Sequence, residues 1–124
     1  MKKTGFVLLA SMLMAWGTNR AFAQTGDTAA GQRLFQQRCG ACHQITTSRN
    51  GVGPNLQGVI GREAGSVEGF NYSPALKDSG ITWNADTLET WLSNPTAMVR
   101  GTRMTQRFSN ADERHAIIEF LGLH

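Results

Sequence analysis

The chain carries two cysteines, three positions apart, with a histidine directly after the second: Cys39-Gly40-Ala41-Cys42-His43. Two thiols and an imidazole at this spacing can serve three chemistries. They can act as a redox dithiol, supply part of a zinc site, or anchor a porphyrin through two thioethers with the histidine beneath its iron. The dithiol of a thioredoxin-like fold belongs to a βαβ context, and no strand-rich segment surrounds Cys39. A closed zinc site takes four ligands. Beyond Cys39, Cys42 and His43 the chain offers only His115 and His124, and no further cysteine. The third chemistry uses every part. Each thiol adds across one vinyl group, and the two intervening residues match the separation of those groups along one turn of backbone. His43 then becomes the proximal ligand. C-x-x-C-H is the attachment signature of a c-type haem, so one covalently bound haem c, with its iron, is the expected cofactor.

What surrounds the motif agrees with that chemistry. The chain opens Met1-Lys2-Lys3, runs apolar from Phe6 to Trp16 and reaches Ala21-Phe22-Ala23. A basic start, an apolar stretch and a small-x-small end describe a secretory signal peptide cut after Ala23. Residues 24–124 are then a single exported domain, expected in the periplasm. A membrane span needs roughly 20 apolar residues, and Asn19 and Arg20 close this stretch too early. Removing residues 1–23 takes away Lys2, Lys3 and Arg20, the whole formal excess of +3. The mature chain is near neutral, without the basic stripe that nucleic-acid binding requires.

A domain of this size buries only about two-thirds of its surface, and small exported domains often add disulfides or a metal. A disulfide across Cys39 and Cys42 would close a loop too small to stabilise much. Some other stabiliser is needed. Helical spacing of Gly31, Leu34, Phe35 and Arg38 predicts a helix from an Asp27 cap to about Cys39-Gly40. From Thr46 to Gly80 neither helical nor strand periodicity persists, and seven glycines with Pro54 and Pro74 punctuate the stretch. So long an irregular segment fits a compact domain if it wraps something other than protein. Helix returns at Asn84 or Asp86, with Leu88, Trp91 and Leu92 on one face, and stops at Asn94-Pro95. A short helix follows from Pro95 to Gly101, Asn94 capping it. A last helix opens at Ser109 or Asn110, carries Ala116, Ile117, Phe120 and Leu121 on one face, and is expected to stop at Gly122. Gly31 should let the first and last helices cross closely, with Phe35 near Phe120. The expected architecture is all-α, about four helices around a long irregular middle.

The sixth iron position decides what a haem here could do. Thioether sulfur suits haem iron and raises its potential relative to a second imidazole. Two methionines follow Ala23, Met98 and Met104. Met98 falls in the predicted short helix as a core residue. Met104 lies on the irregular stretch "RGTRMTQ", free to fold over the haem face opposite His43, and is the expected ligand. Met98, His115 and an open position are the alternatives.

With these residues in place, the chain resembles class I cytochrome c, of the mitochondrial and bacterial c2 type. The resemblance runs from Gly31 to Leu121. It includes "GxxxF" at 31–35, the attachment motif, "GPNLQGVIGREAG" at 53–65, "FNYSPAL" at 70–76, "ITW" at 81–83, "WLSNP" at 91–95 and "GTRM" at 101–104. It implies that the carbonyl of Pro54 accepts the Nδ1–H of His43, that Arg62, Tyr72 and Trp83 hydrogen-bond the haem propionates, and that Met104 is the axial methionine. Three departures stand out. Trp91 occupies the place of a tyrosine common in the family, Arg100 replaces a proline before "GT", and the lysine ring used for docking is mostly absent. Arg100 should leave its loop less rigid, and the iron–sulfur bond easier to displace at high pH. Arg38, Arg49, Lys77, Arg100 and Arg103 could still form a positive rim at the haem edge.

The resemblance implies a monomeric one-electron carrier, not an enzyme, that shuttles electrons between redox partners such as a reductase, an oxidase or a dehydrogenase. The rivals are a haem enzyme or gas-binding protein with an open iron, and a tightly bound subunit of a larger dehydrogenase or oxidase.

Overall fold

The structure, a computed structural model, describes the backbone of residues 21–124 and side chains from Thr28 onward. The predicted signal segment lies outside these residues up to position 20. The described chain forms five helices: α1 (Ala21–Arg38), α2 (Pro74–Lys77), α3 (Ala85–Ser93), α4 (Pro95–Met98) and α5 (Ala111–Gly122). Its only β pairing is an isolated antiparallel bridge between Glu63 and Thr82. The all-α expectation holds, with one helix more than expected, since the four-residue α2 sits inside the stretch read as irregular. Ser73 accounts for it: its side chain accepts from the Leu76 N–H and Pro74 takes the first helical position.

Other boundaries also differ from expectation. α1 begins at Ala21, so Asp27 lies within the helix rather than capping its start. α4 ends at Met98, with Val99 in extended geometry as its C-cap. By contrast, Gly122 closes α5 as its last helical residue, where the stop is expected, and Leu123 after it keeps right-handed geometry. Elsewhere the caps fall on the residues proposed for them. Asn84 and Thr87 form a reciprocal capping box on α3. Asn94 both ends α3 and caps α4, and Asn110 accepts from the N–H groups of Asp112 and Glu113.

The helices α1 and α5 cross where Gly31 replaces a side chain. A Cβ at Gly31 would run into the carbonyl oxygen of Ala116 and come within 2.8 Å of the Phe120 Cβ. The close approach brings the rings of Phe35 and Phe120 to 5.4 Å, the contact expected from the sequence. Gly31→Ala must therefore separate two backbones. It is expected to lower stability by about 1–3 kcal/mol, read as a reduced denaturant midpoint with an unchanged m-value.

Helix α3 lays Leu88, Trp91 and Leu92 inward, and Ile117, Phe120 and Leu121 of α5 meet the same core with Phe108 and Trp83. The irregular middle is held by scattered backbone bonds, not by a ladder. Leu56 N–H donates to Gln44 (2.8 Å), Trp83 N–H to Arg62 (2.9 Å) and Ala64 N–H to Ile81 (2.7 Å). Asn50 ties two parts of it: its Oδ1 accepts from the backbone and side-chain amides of Asn55, and its Nδ2 donates to the Glu68 carbonyl. These bonds close turns, and Leu56, Val59 and Leu76 of this stretch line an internal space.

Candidate functional site

That space is a cavity of about 360 Å³ lined by α1, α3, α5 and the irregular middle. Its walls are mainly apolar: Phe35, Leu56, Val59, Phe70, Leu76, Leu88, Trp91, Leu92, Ile117 and Leu121 all contribute. Left empty at about 24 cal/mol per Å³, it would cost on the order of 9 kcal/mol, an upper figure because its mouth opens to water. A loss of that size matches the whole stability of an ordinary domain. A large apolar group is needed to fill it.

The motif reaches the cavity because α1 does not stop cleanly. Cys39 and Gly40 N–H both donate to the Phe35 carbonyl, and Cys42 and His43 N–H both donate to the Cys39 carbonyl. This extra turn brings Cys39, Cys42 and His43 to the cavity wall together. Burial pushes the Cys39 thiol up to about 11, so it is protonated there, whereas Cys42 is exposed.

Two contacts orient His43. Its Nδ1 lies 2.7 Å from the Pro54 carbonyl oxygen, which accepts a hydrogen from that nitrogen and leaves Nε2 free for a metal. Gly53 packs flat on the ring: a Cβ there would collide with Cε1 and come within 2.7 Å of Nδ1. Burial lowers the His43 pKa, which favours the neutral, ligating imidazole.

Met104 lines the same cavity, half-buried, in the segment between α4 and α5. Met98 packs against the core but does not line the cavity. His115 is exposed and pairs with Glu119 at 3.1 Å.

Arg62, Tyr72 and Trp83 also line the cavity. Arg62 donates to the carbonyls of Asn55 (2.8 Å) and Gln57 (3.1 Å). It forms none of the ion pairs among the described residues, although burial lowers its pKa. A half-buried cation without a counter-ion suits an anionic group in the cavity. The Tyr72 hydroxyl accepts from the Val67 N–H at 3.1 Å and keeps its own hydrogen to donate, which burial retains by raising its pKa. Trp83 meets Trp91 edge-on at 5.2 Å. Among the described residues neither indole N–H bonds a protein acceptor, and both rings line the cavity. An apolar group with acidic substituents fits these walls, and a haem is such a group.

Of the five cations proposed as a rim, Arg38 and Arg103 line the cavity, whereas Arg49, Lys77 and Arg100 do not. Sequence reasoning gave no role to Thr102 and Val52. Thr102 is a buried hydroxyl on the wall, and its place inside "GTRM" was the available signal. Val52 is 80% exposed while also lining the cavity. No spacing rule marks an isolated exposed valine.

Comparison with known proteins points the same way. The family model described as Cytochrome c matches residues 28–122. Cytochrome c2 from Rhodomicrobium vannielii is 41% identical over 118 residues, covering 94% of this chain and 92% of that protein. Cytochrome c from Stellaria longipes is 45% identical over 98 residues, or 77% and 91% of the two chains. Among solved structures, cytochrome cH from Methylobacterium extorquens superposes with a TM-score of 0.74 at 42% identity, over 80% of this chain and 100% of that one. A cavity that needs a large apolar filler, a thiol pair with a histidine on its wall, and relatives of this kind lead to one conclusion: the chain belongs to the cytochrome c family, class I, electron-transfer proteins that carry a covalently bound haem c and are not enzymes.

Proposed function

We propose that the chain is a periplasmic one-electron carrier whose iron is held by His43 on one face and Met104 on the other. What supports this most is a single arrangement: the His43 imidazole and the Met104 side chain line one cavity together with both thiols. The haem, when bound, supplies a reversible ferric–ferrous couple. The chain does the rest. Cys39 and Cys42 fix the group covalently, and Pro54 and Gly53 set the ring of His43. Met104 supplies a neutral sulfur, which favours the reduced state relative to a second imidazole. Arg62, Tyr72 and Trp83 offer donors to the propionates, offsetting the cost of burying negative charge. Ligands kept in both oxidation states limit rearrangement on electron transfer.

The basic, apolar and small-residue pattern of residues 1–23 supports export and cleavage after Ala23. Among the described residues no helix is long and apolar enough to cross a membrane. The carrier acts as a monomer, with a reductase, oxidase or dehydrogenase as the classes of partner, met through small, short-lived contacts. Arg38 and Arg103 are exposed and line the cavity; they offer such a partner positive charge, with Arg38 also 3.8 Å from the Glu113 carboxylate.

Protein-film voltammetry tests the function directly. A single reversible one-electron wave at neutral pH is expected; irreversible or catalytic current with peroxide would contradict the carrier reading. Gly53→Ala tests the histidine side. The new methyl group must push the imidazole off the Pro54 carbonyl, with an expected loss of about 1–3 kcal/mol in stability and a shifted midpoint potential. An unchanged potential would mean that Gly53 does not position His43.

A further inference from the structure

Beyond the ligands themselves, one side-chain cluster governs the segment that carries Met104. We propose that Glu89, through Arg114, is a positioning residue that clamps this segment to α3 and so limits how readily Met104 leaves the iron. The proposal rests on the reading of Met104 as the sixth ligand.

The segment between α4 and α5 is held at its two ends. At one end Arg103 Nη1 donates to the Asn71 carbonyl at 2.6 Å. At the other, Phe108 N–H donates to the Leu92 carbonyl of α3 at 2.9 Å. From Met104 to Arg107 the chain makes no hydrogen bond of its own among the described residues. The freedom of Met104 therefore depends on those two ends.

The second end is the more elaborate. Arg114 of α5 has a side chain only 14% exposed. Its Nη1 donates to the carbonyls of Phe108 (2.7 Å) and Ser109 (3.0 Å). Its Nε donates to Glu89 Oε1 on α3 at 2.6 Å. One guanidinium thus joins α3, α5 and the end of the methionine segment, and a planar fork is suited to holding several acceptors at once. Glu89 fixes the direction of that fork. The Phe108 ring, buried below, takes the Arg38 guanidinium over its face at 4.7 Å. The clamp therefore extends to the residue next to Cys39.

The Glu89 carboxylate is 44% exposed, so the pair is partly screened and its loss should be read as a modest factor. In holoprotein Glu89→Ala, amide exchange at Phe108 is expected to rise roughly three- to fivefold. Exchange at Ile117, in the interior of α5, should stay unchanged. Carbon monoxide needs the methionine position, so its combination with the ferrous protein should quicken by the same factor. Glu89→Gln keeps an oxygen for Nε and is expected to fall between. Arg114→Lys keeps the charge but cannot span Glu89 and both carbonyls, and is expected to show the same local loosening.

Unchanged exchange at Phe108, or an equal rise at Ile117, would overturn the clamp. Faster exchange at Phe108 with an unchanged carbon monoxide rate would overturn its link to the iron. Failure of the ligand reading is separately visible: wild type would then take up carbon monoxide as fast as Met104→Ala, whatever Phe108 shows.

Discussion

Replacing Cys39 and Cys42 together by alanine is expected to leave the chain without a cooperative fold. The cavity they border measures about 360 Å³, and an unfilled space of that size costs up to about 9 kcal/mol. Typical domains hold about 5–15 kcal/mol in all. The residues around it cannot simply close in. Much of the wall comes from the stretch between Gln44 and Trp83, whose backbone is tied by isolated bonds rather than by a regular ladder. Such a segment has few neighbours to collapse on, and ordering it costs about 1–2 kcal/mol per residue in backbone entropy. The α1–α5 contact through Gly31 and Phe35 should persist as a fluctuating helix pair, too small to be stable alone. Far-ultraviolet circular dichroism under increasing denaturant checks this. A broad, non-cooperative decline from reduced helicity is expected; a sharp transition at wild-type helicity would contradict it.

Met104→Ala carries the second large effect, on reactivity rather than on folding. Met104 is half-buried, and the residues from it to Arg107 make no hydrogen bond of their own among the described residues, so removing its side chain breaks no polar network there. The fold should survive, with a loss of about 2–5 kcal/mol at most for the deleted apolar atoms and any ligand bond that accompanied them. Access to the iron should change far more. If the wild-type iron is open about 1% of the time or less, the variant should bind carbon monoxide about a hundredfold more tightly, or better. Its midpoint potential should fall, because the neutral sulfur no longer favours the reduced state. Carbon monoxide titration of the ferrous protein decides it. Equal affinities in wild type and variant would move the ligand away from Met104.

The parts of this fold that follow local rules were legible in the sequence. Leu88, Trp91 and Leu92 announce α3 by spacing, Asn94-Pro95 marks the break into α4, and Gly31 facing Phe120 is readable as a close crossing. The site was legible for a different reason: the attachment chemistry fixes Cys39, Cys42 and His43 at one spacing. What escaped depends on tertiary context. The single turn of α2 is too short to show periodicity and is visible only through its Ser73 cap. The start of α1 was misplaced because Asp27 can cap a helix or ride within one. The Arg114 clamp joins residues far apart in sequence, and no local pattern marks Glu89 as its partner. Of the cations expected at the haem edge, Arg38 and Arg103 line the cavity, whereas Arg49, Lys77 and Arg100 do not, a distinction that charge and sequence position do not carry.

The central claim is that a thiol-anchored haem fills this cavity with His43 beneath the iron and Met104 above it. The absorbance spectrum of the purified oxidised protein at neutral pH tests this most directly. The weak band at the red edge of the visible region, which arises from a methionine sulfur bound to ferric haem, should be present in wild type and absent in Met104→Ala. A wild-type spectrum without that band, or a variant that keeps it, would contradict the account.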